Sequence, residues 1–317
     1  MKTKREFIHN LKELPRDELL APGSPLCAGC GGLLALRLLL KALDGNVAVV
    51  NAAGCMTLLA VYPYTPLRTS WLYTTMGSAP AGAQGIRDAL DVLIAKGRLP
   101  REEDLRVVVL AGDGATLDIG LSSLSGAIHR GLDFYYLCYD NEAFGNTGFQ
   151  MSAASPYGSR TATSPATPLQ AAGTLQQKKD LFEIWRSHHP PYAATLSTAD
   201  PVDLVDKVRR ATRLRGPKLF TALAVCPPGW GSDPSRGFEI AKLALDTGVW
   251  PLKEAMDGKV RHTYIPQRRR PLEEYLRTQR RFAHLFSPQR QEDVLHRMQQ
   301  AVDAYWDEVQ RHEMPPR

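Results

Sequence analysis

The chain has 317 residues, 44% of them hydrophobic, with a formal net charge of +6. That length holds one large α/β domain or two smaller ones, and the apolar fraction is ordinary for a soluble globular protein. No apolar run is long enough to cross a bilayer. The opening residues, MKTKREFIHNLKEL, lack the apolar core of a signal peptide, so a cytoplasmic location without a membrane partner is expected. Five cysteines are present: Cys27, Cys30, Cys55, Cys138 and Cys226. An odd number in such a chain argues against a disulfide framework and turns attention to a metal or redox centre.

Residues 1–22 read as a polar lead-in with some helical content, broken by Pro22-Gly23 and Pro25. Leu26-Cys27-Ala28-Gly29-Cys30-Gly31-Gly32 then opens an apolar helix from Leu33 to Leu43. A CxxC in a glycine-rich loop at a helix start lets two thiolates face one ion, and the helix terminus lowers their pKa. It reads as a thioredoxin-type pair, half of a zinc site or half of an iron–sulfur site. The strand that precedes a thioredoxin motif is missing. Either metal reading needs two more ligands.

Val47 to Asn51 is a short buried strand running into Ala52-Ala53-Gly54-Cys55. Leu219 to Val225 is another, running into Cys226-Pro227-Pro228. Cys55 and Cys226 therefore stand at the carboxyl ends of two strands. Zinc sites of four cysteines usually come as two close pairs, and one pair plus two distant singles is less typical of them. Cys138 lies inside the strand FYYLCYD and reads as a buried, inert thiol. Between the first of these strands and the centre of the chain, Tyr62-Pro63-Tyr64-Thr65-Pro66 and Ser70-Trp71-Leu72-Tyr73 form an aromatic, turn-rich segment. It is either packing, an active-site wall or a subunit interface. The small residues Met76 to Gly82 open a helix reaching Lys96.

The centre is Arg106 to Gln150. Val107 to Leu110 is a β-branched run typical of a strand buried on both faces. It ends at Gly112-Asp113-Gly114. Ile119, Leu121, Leu124, Ala127 and Ile128 then fall at helical spacings up to Arg130-Gly131. Phe134 to Tyr139 is a second buried strand, ending in Asp140-Asn141-Glu142. In open parallel sheets, ligands sit where such strands end. Gly112 and Gly114 let backbone approach a bulky anion, and the helix start offers it free N–H groups. Asp113 and Asn141 add a carboxylate and an amide oxygen, which together with phosphate oxygens make a natural Mg²⁺ site. The predicted ligand is a diphosphate carried on Mg²⁺.

Residues 140–177 show little periodicity but much turn chemistry (Asn146-Thr147-Gly148, Pro156-Tyr157-Gly158, Thr161 to Pro165), as expected of a folded loop over a cofactor. A helix over Lys178 to His188, a strand over Tyr192 to Leu196, a helix over Pro201 to Leu214 and the strand Leu219 to Val225 continue the α/β alternation. The pair His188-His189 reads as surface packing. Strands are expected to end at Val225. Residues 233–317 are expected to be a helical extension (237–247, 271–286, 289–310) on an α/β domain spanning 1–232. Its arginines, Arg268-Arg269-Arg270, Arg277 and Arg280-Arg281, read as a solvated, subunit-facing tail. No nucleic-acid-binding signature accompanies them, although an acidic protein partner fits their charge.

The GDG of residues 112–114, with Asn141 at this distance, resembles the signature of thiamine-diphosphate enzymes. The continuation YDNEAFGNTGFQMSAASPYGSRTATSPA (Tyr139–Ala166) resembles the β subunit of 2-oxoacid:ferredoxin oxidoreductases, the pyruvate synthase group in particular, over roughly residues 20–285. The resemblance implies an α/β, parallel-sheet thiamine-diphosphate-binding fold with a helical C-terminal extension. It implies oxidative decarboxylation of a 2-oxoacid, pyruvate first, with branched-chain 2-oxoacids and oxalate as alternatives, using coenzyme A and ferredoxin. It assigns thiamine diphosphate to Gly54, Cys55, Gly112, Asp113, Gly114, Asn141, Ala143, Asn146 and Thr147, with Asn146 near the reaction centre. It assigns Mg²⁺ to Asp113, Asn141 and the Ala143 carbonyl, and a [4Fe–4S] cluster to Cys27, Cys30, Cys55 and Cys226. Enzymes of this kind need a glutamate from a second, pyrimidine-binding domain, which this chain lacks. An α subunit is expected to supply it, alongside γ and δ subunits. Two rivals remain: a non-redox thiamine-diphosphate decarboxylase with structural zinc, and a basic module that docks nucleic acid or acidic proteins.

Overall fold

The computed structural model describes residues 8–43 and 45–313. Strands β1 (Val47–Ala52), β2 (Ser70–Thr74), β3 (Arg106–Gly112), β4 (Tyr135–Asp140), β5 (Tyr192–Ser197), β6 (Lys218–Leu223), β7 (Leu252–Met256) and β8 (Lys259–Tyr264) form one sheet in the order β2-β1-β3-β4-β6-β5-β7-β8. The first six are parallel to one another. Helices α1 (Gly31–Leu43), α2 (Ala79–Ala95), α3 (Leu121–His129), α4 (Leu181–Arg186) and α5 (Pro201–Ala211) are the crossovers, while α6 (Pro227–Trp230), α7 (Gly237–Asp246), α8 (Leu272–Leu276) and α9 (Glu292–Glu313) build the C-terminal part.

The continuous apolar strands explain the layering. In β3, Val108 and Leu110 join a core with Leu36 and Leu39 of α1 and Val205 and Val208 of α5. Val107, Val109 and Ala111 face the other way, toward Ala83 of α2, Leu124 of α3 and Phe182 of α4. Alternation along a strand supplies both faces, so the sheet is buried between two helical layers. The chain runs from β1 outward to β2, then returns to β3 on the other side of β1. The carboxyl ends of β1 and β3 therefore flank a topological switch point, the usual ligand crevice of an open sheet.

Strands do not end at Val225. β7 adds to β5 antiparallel, and β8 adds to β7. The composition hid this hairpin. Glu254 in β7 is buried, but Arg210, Arg261 and Tyr192 all reach its carboxylate, so a charge occupies a core position. The readable signal was Asp257-Gly258, whose φ angles of 51° and 77° make a primed hairpin turn. Periodicity also misplaced Ile119. A π-helical turn, Ala115–Ile119, precedes α3 and shifts the phase, leaving Ile119 62% exposed while Leu124, Ala127 and Ile128 stay buried. Of the expected lead-in, residues 1–7 lie outside the described residues. The remainder contains one 3₁₀ turn, Leu11–Glu13.

The C-terminal part has its own core, with Trp230, Tyr275, Phe282 and Trp306 at its centre. Trp306 of α9 is buried and donates its indole N–H to the Gly248 carbonyl at 2.9 Å. No helix among the described residues is long and apolar enough to cross a membrane. Trp306→Ala should lower unfolding stability by about 3–5 kcal/mol, the usual cost of emptying a buried tryptophan site. Denaturant titration checks this, and an unchanged midpoint would show that α9 is not anchored there.

Candidate cofactor and metal site

The carboxyl ends of β1, β3 and β4 open into a cleft of about 210 Å³. Gly54 and Cys55, following β1, line one side, and Gly112 and Gly114, around the end of β3, line the floor. Asn141, Ala143, Asn146 and Thr147, following β4, line the other side. Asn146 and Thr147 are exposed at its mouth. Asp113 lies beneath, fully buried. Its Oδ2 accepts a hydrogen bond from Ser152 Oγ at 2.5 Å.

The oxygen geometry is specific. The Asn141 side-chain amide lies 2.7 Å from the Ala143 carbonyl oxygen and 2.8 Å from Asp113 Oδ1. With its nitrogen turned toward them, the amide donates two hydrogen bonds. With its oxygen turned toward them, three oxygens meet, an arrangement that a shared cation would stabilise. Octahedral Mg²⁺ with ligands at about 2.0–2.1 Å places neighbouring oxygens about 2.9 Å apart, close to the spacing seen. Burial, followed by the charge of Asp140, pushes the Asp113 carboxyl well above the usual carboxylate range. A bound cation reverses that by favouring the ionised form. The residues present therefore fit Mg²⁺.

The glycines do more than admit an anion. A Cβ on Gly114 would sit 2.3 Å from the Phe144 ring, and one on Gly112 3.2 Å from the Tyr139 ring. Gly145 is the seam between the two halves of the site: a Cβ there would meet the Asn141 amide at 2.6 Å and Cys55 Sγ at 3.3 Å.

The cysteine elements gather on the same rim. Gly31, just after Cys30, donates its N–H to the Val225 carbonyl at 3.0 Å, one residue before Cys226. A Cβ on Gly31 would lie 2.6 Å from the Val225 nitrogen. Gly29, at φ +72°, lies against Pro234. Backbone contact thus presses the CxxC loop onto the end of β6. Burial raises the Cys30 thiol. Burial, then the nearby Cys226, Cys30 and Cys27, pushes Cys55 up to about 12. Burial pushes Cys226 up to about 11, aided by Cys30 and Cys27. The four thiols feel one another, yet among the described residues no three His, Cys, Asp or Glu side chains lie close enough to hold a single metal ion.

Cys138 is fully buried in β4, where burial raises its thiol strongly. His188 bonds Ser125 Oγ and the Ile184 carbonyl, both at 2.8 Å, a packing role. Of the aromatic segment, Tyr73 lines the cleft while Tyr62 is 89% exposed. The loop after Asn141 is folded over the site: Ser155 Oγ donates to the Glu142 carbonyl at 2.8 Å, and Thr161, Ser164 and Thr174 bond one another. Ser152, Lys178, Trp230 and Arg281 all serve this site but were not found by sequence reasoning, because no local spacing ties them to it. Arg281 is not part of the expected solvated tail: it is 2% exposed, with its charge on Glu142.

Residues 52–222 match the family model for the C-terminal TPP-binding domain of thiamine pyrophosphate enzymes. The chain is 43% identical to pyruvate synthase subunit PorB of Methanothermobacter thermautotrophicus over 298 residues, covering 94% of this chain and 99% of that one. The chain belongs to the PorB family of thiamine pyrophosphate enzymes. A ketoisovalerate oxidoreductase subunit, VorB of Pyrococcus horikoshii, is 37% identical over 88% of this chain and 90% of its own. A solved 2-oxoglutarate:ferredoxin oxidoreductase from Magnetococcus marinus shares the fold, with a TM-score of 0.54 and 20% identity over 76% of this chain and 84% of that one. The α/β fold expected of a thiamine-diphosphate enzyme is therefore present, with the hairpin β7–β8 added to its edge.

In the metal-free chain at neutral pH, iodoacetamide should modify exposed Cys27 first. Cys226 and Cys55 should gain reactivity about tenfold per pH unit as pH climbs toward their raised values, because the thiolate is the nucleophile. Peptide mapping across a pH series checks the order. Equal labelling of Cys55 and Cys27 at neutral pH would contradict the burial seen.

Proposed function

We propose that this chain is the thiamine-diphosphate-binding subunit of a 2-oxoacid:ferredoxin oxidoreductase acting on pyruvate, with coenzyme A as acyl acceptor. The carrying observation is the convergence of the Asp113 carboxylate, the Asn141 side-chain amide and the Ala143 carbonyl beneath a glycine-lined cleft at the switch point. Asp113 and Asn141 supply side-chain oxygens to Mg²⁺ and Ala143 supplies its carbonyl. Ser152 keeps Asp113 oriented by donating to the oxygen turned away from the metal. Gly54, Cys55, Gly112, Gly114 and Thr147 border the diphosphate. Asn146, at the open mouth, faces the substrate side and orients the reacting group there. When bound, thiamine diphosphate supplies the nucleophilic carbon and the electron sink for cleaving a 2-oxoacid beside its carbonyl.

Cys27, Cys30, Cys55 and Cys226 hold a [4Fe–4S] cluster. In such a cluster each thiolate takes its own iron, so the sulfurs ring a volume. In a zinc site all four lie about 2.3 Å from one ion. The hydrogen bond from Gly31 N–H to the Val225 carbonyl, which joins the CxxC loop to the residue before Cys226, supports a centre shared by these cysteines. Cys55 belongs to both the cleft lining and the thiol rim, which supports an electron acceptor beside the cofactor. Ferredoxin is the onward partner.

The catalytic glutamate that must face the aminopyrimidine comes from another subunit. The exposed Tyr62 and Tyr64, close in sequence to the cleft residue Tyr73, offer an apolar face for that subunit. One relative acts on ketoisovalerate, so branched-chain 2-oxoacids are the second substrate class.

The complex with its partner subunits, purified anaerobically, should contain about four irons and four sulfides assignable to this chain and reduce ferredoxin with pyruvate and coenzyme A. The chain alone, supplied with Mg²⁺ and thiamine diphosphate, should not turn over. Zinc without sulfide would replace the oxidoreductase reading with a non-redox decarboxylase. Full turnover by the isolated chain would remove the need for a partner's glutamate.

A further inference from the structure

Glu142 stands between two of the three metal-facing residues, Asn141 and Ala143, and its backbone is left-handed at φ 65°. A residue with a Cβ holds that conformation only when its surroundings over-determine it. Here they do. The Glu142 N–H donates to Asp140 Oδ1 at 3.1 Å, and its carbonyl accepts from Ser155 Oγ at 2.8 Å. Its buried carboxylate takes Lys178 Nζ at 2.8 Å on one oxygen and Arg281 Nη2 at 2.5 Å on the other. Lys178 also bonds Asp140 at 2.6 Å.

Arg281 comes from a distant part of the chain, the 3₁₀ segment Arg280–Leu285 that closes the C-terminal core. Its guanidinium lies 4.0 Å above the Trp230 ring, and its Nε donates to Gln279 at 2.8 Å. Trp230 in turn donates its indole N–H to the Asn141 carbonyl at 2.9 Å. One buried cation thus braces both sides of the turn: Glu142 directly, and Asn141 through the indole it covers. A charge-assisted contact of this kind fixes geometry more firmly than a neutral one.

We propose that Arg281 is a positioning residue for the Mg²⁺–diphosphate site, acting through Glu142 and Trp230 to hold the Asn141 and Ala143 oxygens toward Asp113. The inference rests on the reading that this cleft carries Mg²⁺ and thiamine diphosphate. It gives the C-terminal segment a direct part in assembling that site. Arg281 touches neither metal nor substrate, so its loss affects affinity before turnover.

The test uses the whole complex, stripped of cofactor and titrated calorimetrically with thiamine diphosphate at fixed Mg²⁺. Arg281→Met and Glu142→Gln should each weaken binding by about 10–100-fold, as changes behind a metal ligand typically do. The double variant should bind no worse than Arg281→Met, since Glu142 is one of the two contacts through which Arg281 acts. Arg281→Lys should recover part of the loss. Turnover at saturating Mg²⁺ and thiamine diphosphate should return to within about twofold of wild type, the split expected when affinity alone is affected. Glu142→Gln is isosteric and decides the matter if Arg281→Met fails to fold. Wild-type affinity in Arg281→Met and Glu142→Gln would overturn this inference alone. A wild-type complex that binds no thiamine diphosphate would overturn the site reading as well.

Discussion

Oxygen atoms repel one another unless something positive lies between them. At the ends of β3 and β4 the Asn141 side-chain amide lies within 2.8 Å of both a buried carboxylate oxygen and a main-chain carbonyl oxygen. Much of the surrounding structure is arranged to tolerate and aim that group. Asp113 cannot move, because it follows a strand buried on both faces and is held by Ser152. Asn141 and Ala143 cannot turn away, because Glu142 between them is locked by a lysine and an arginine. The ion group Asp140–Lys178–Glu142–Arg281 is two carboxylates and two cations, neutral as a whole. Burial alone would protonate Glu142, but Lys178 and Arg281 hold its carboxyl below the usual range. A neutral cluster of opposite charges in direct contact is the form in which charges persist in a protein interior.

The second constraint is main-chain proximity. The CxxC loop approaches the end of β6 through Gly31 and the Pro234 turn through Gly29, and at both a side chain would collide with backbone. That contact carries Cys27 and Cys30 to Cys226. Gly145 leaves room for the Asn141 amide and the Cys55 thiol beside one main-chain position. The thiol rim and the oxygen cluster are thus two parts of one surface, separated by a glycine. A cofactor in the cleft and an electron acceptor on the rim need no conformational change to be neighbours.

The parts legible in the sequence were those built by local rules. Val107 to Gly114 and Phe134 to Glu142 announced buried parallel strands with polar tips, and the motif residues did fall into one cleft. The distant cysteines could be matched to strand ends for the same reason. What stayed hidden depended on partners far along the chain. β7 reads as polar because Arg210 and Arg261 neutralise Glu254 only after folding. Arg281 reads as surface because nothing near it in sequence reveals Glu142, 139 positions away. Ile119 was misplaced because a π-turn alters helical phase without altering composition. Charge in this chain is a poor guide to exposure where ion pairs are made across the fold.

The most direct measurement is calorimetric binding of thiamine diphosphate to the cofactor-free complex, with and without Mg²⁺, for the wild type and for Asp113→Asn. The amide keeps the size of Asp113 and removes the charge that the two neutral oxygens lack. Mg²⁺-dependent binding in the wild type, lost in the variant while its melting temperature is maintained, is the predicted result. Equal binding by the two proteins, or binding indifferent to Mg²⁺, would contradict the account of these three oxygens.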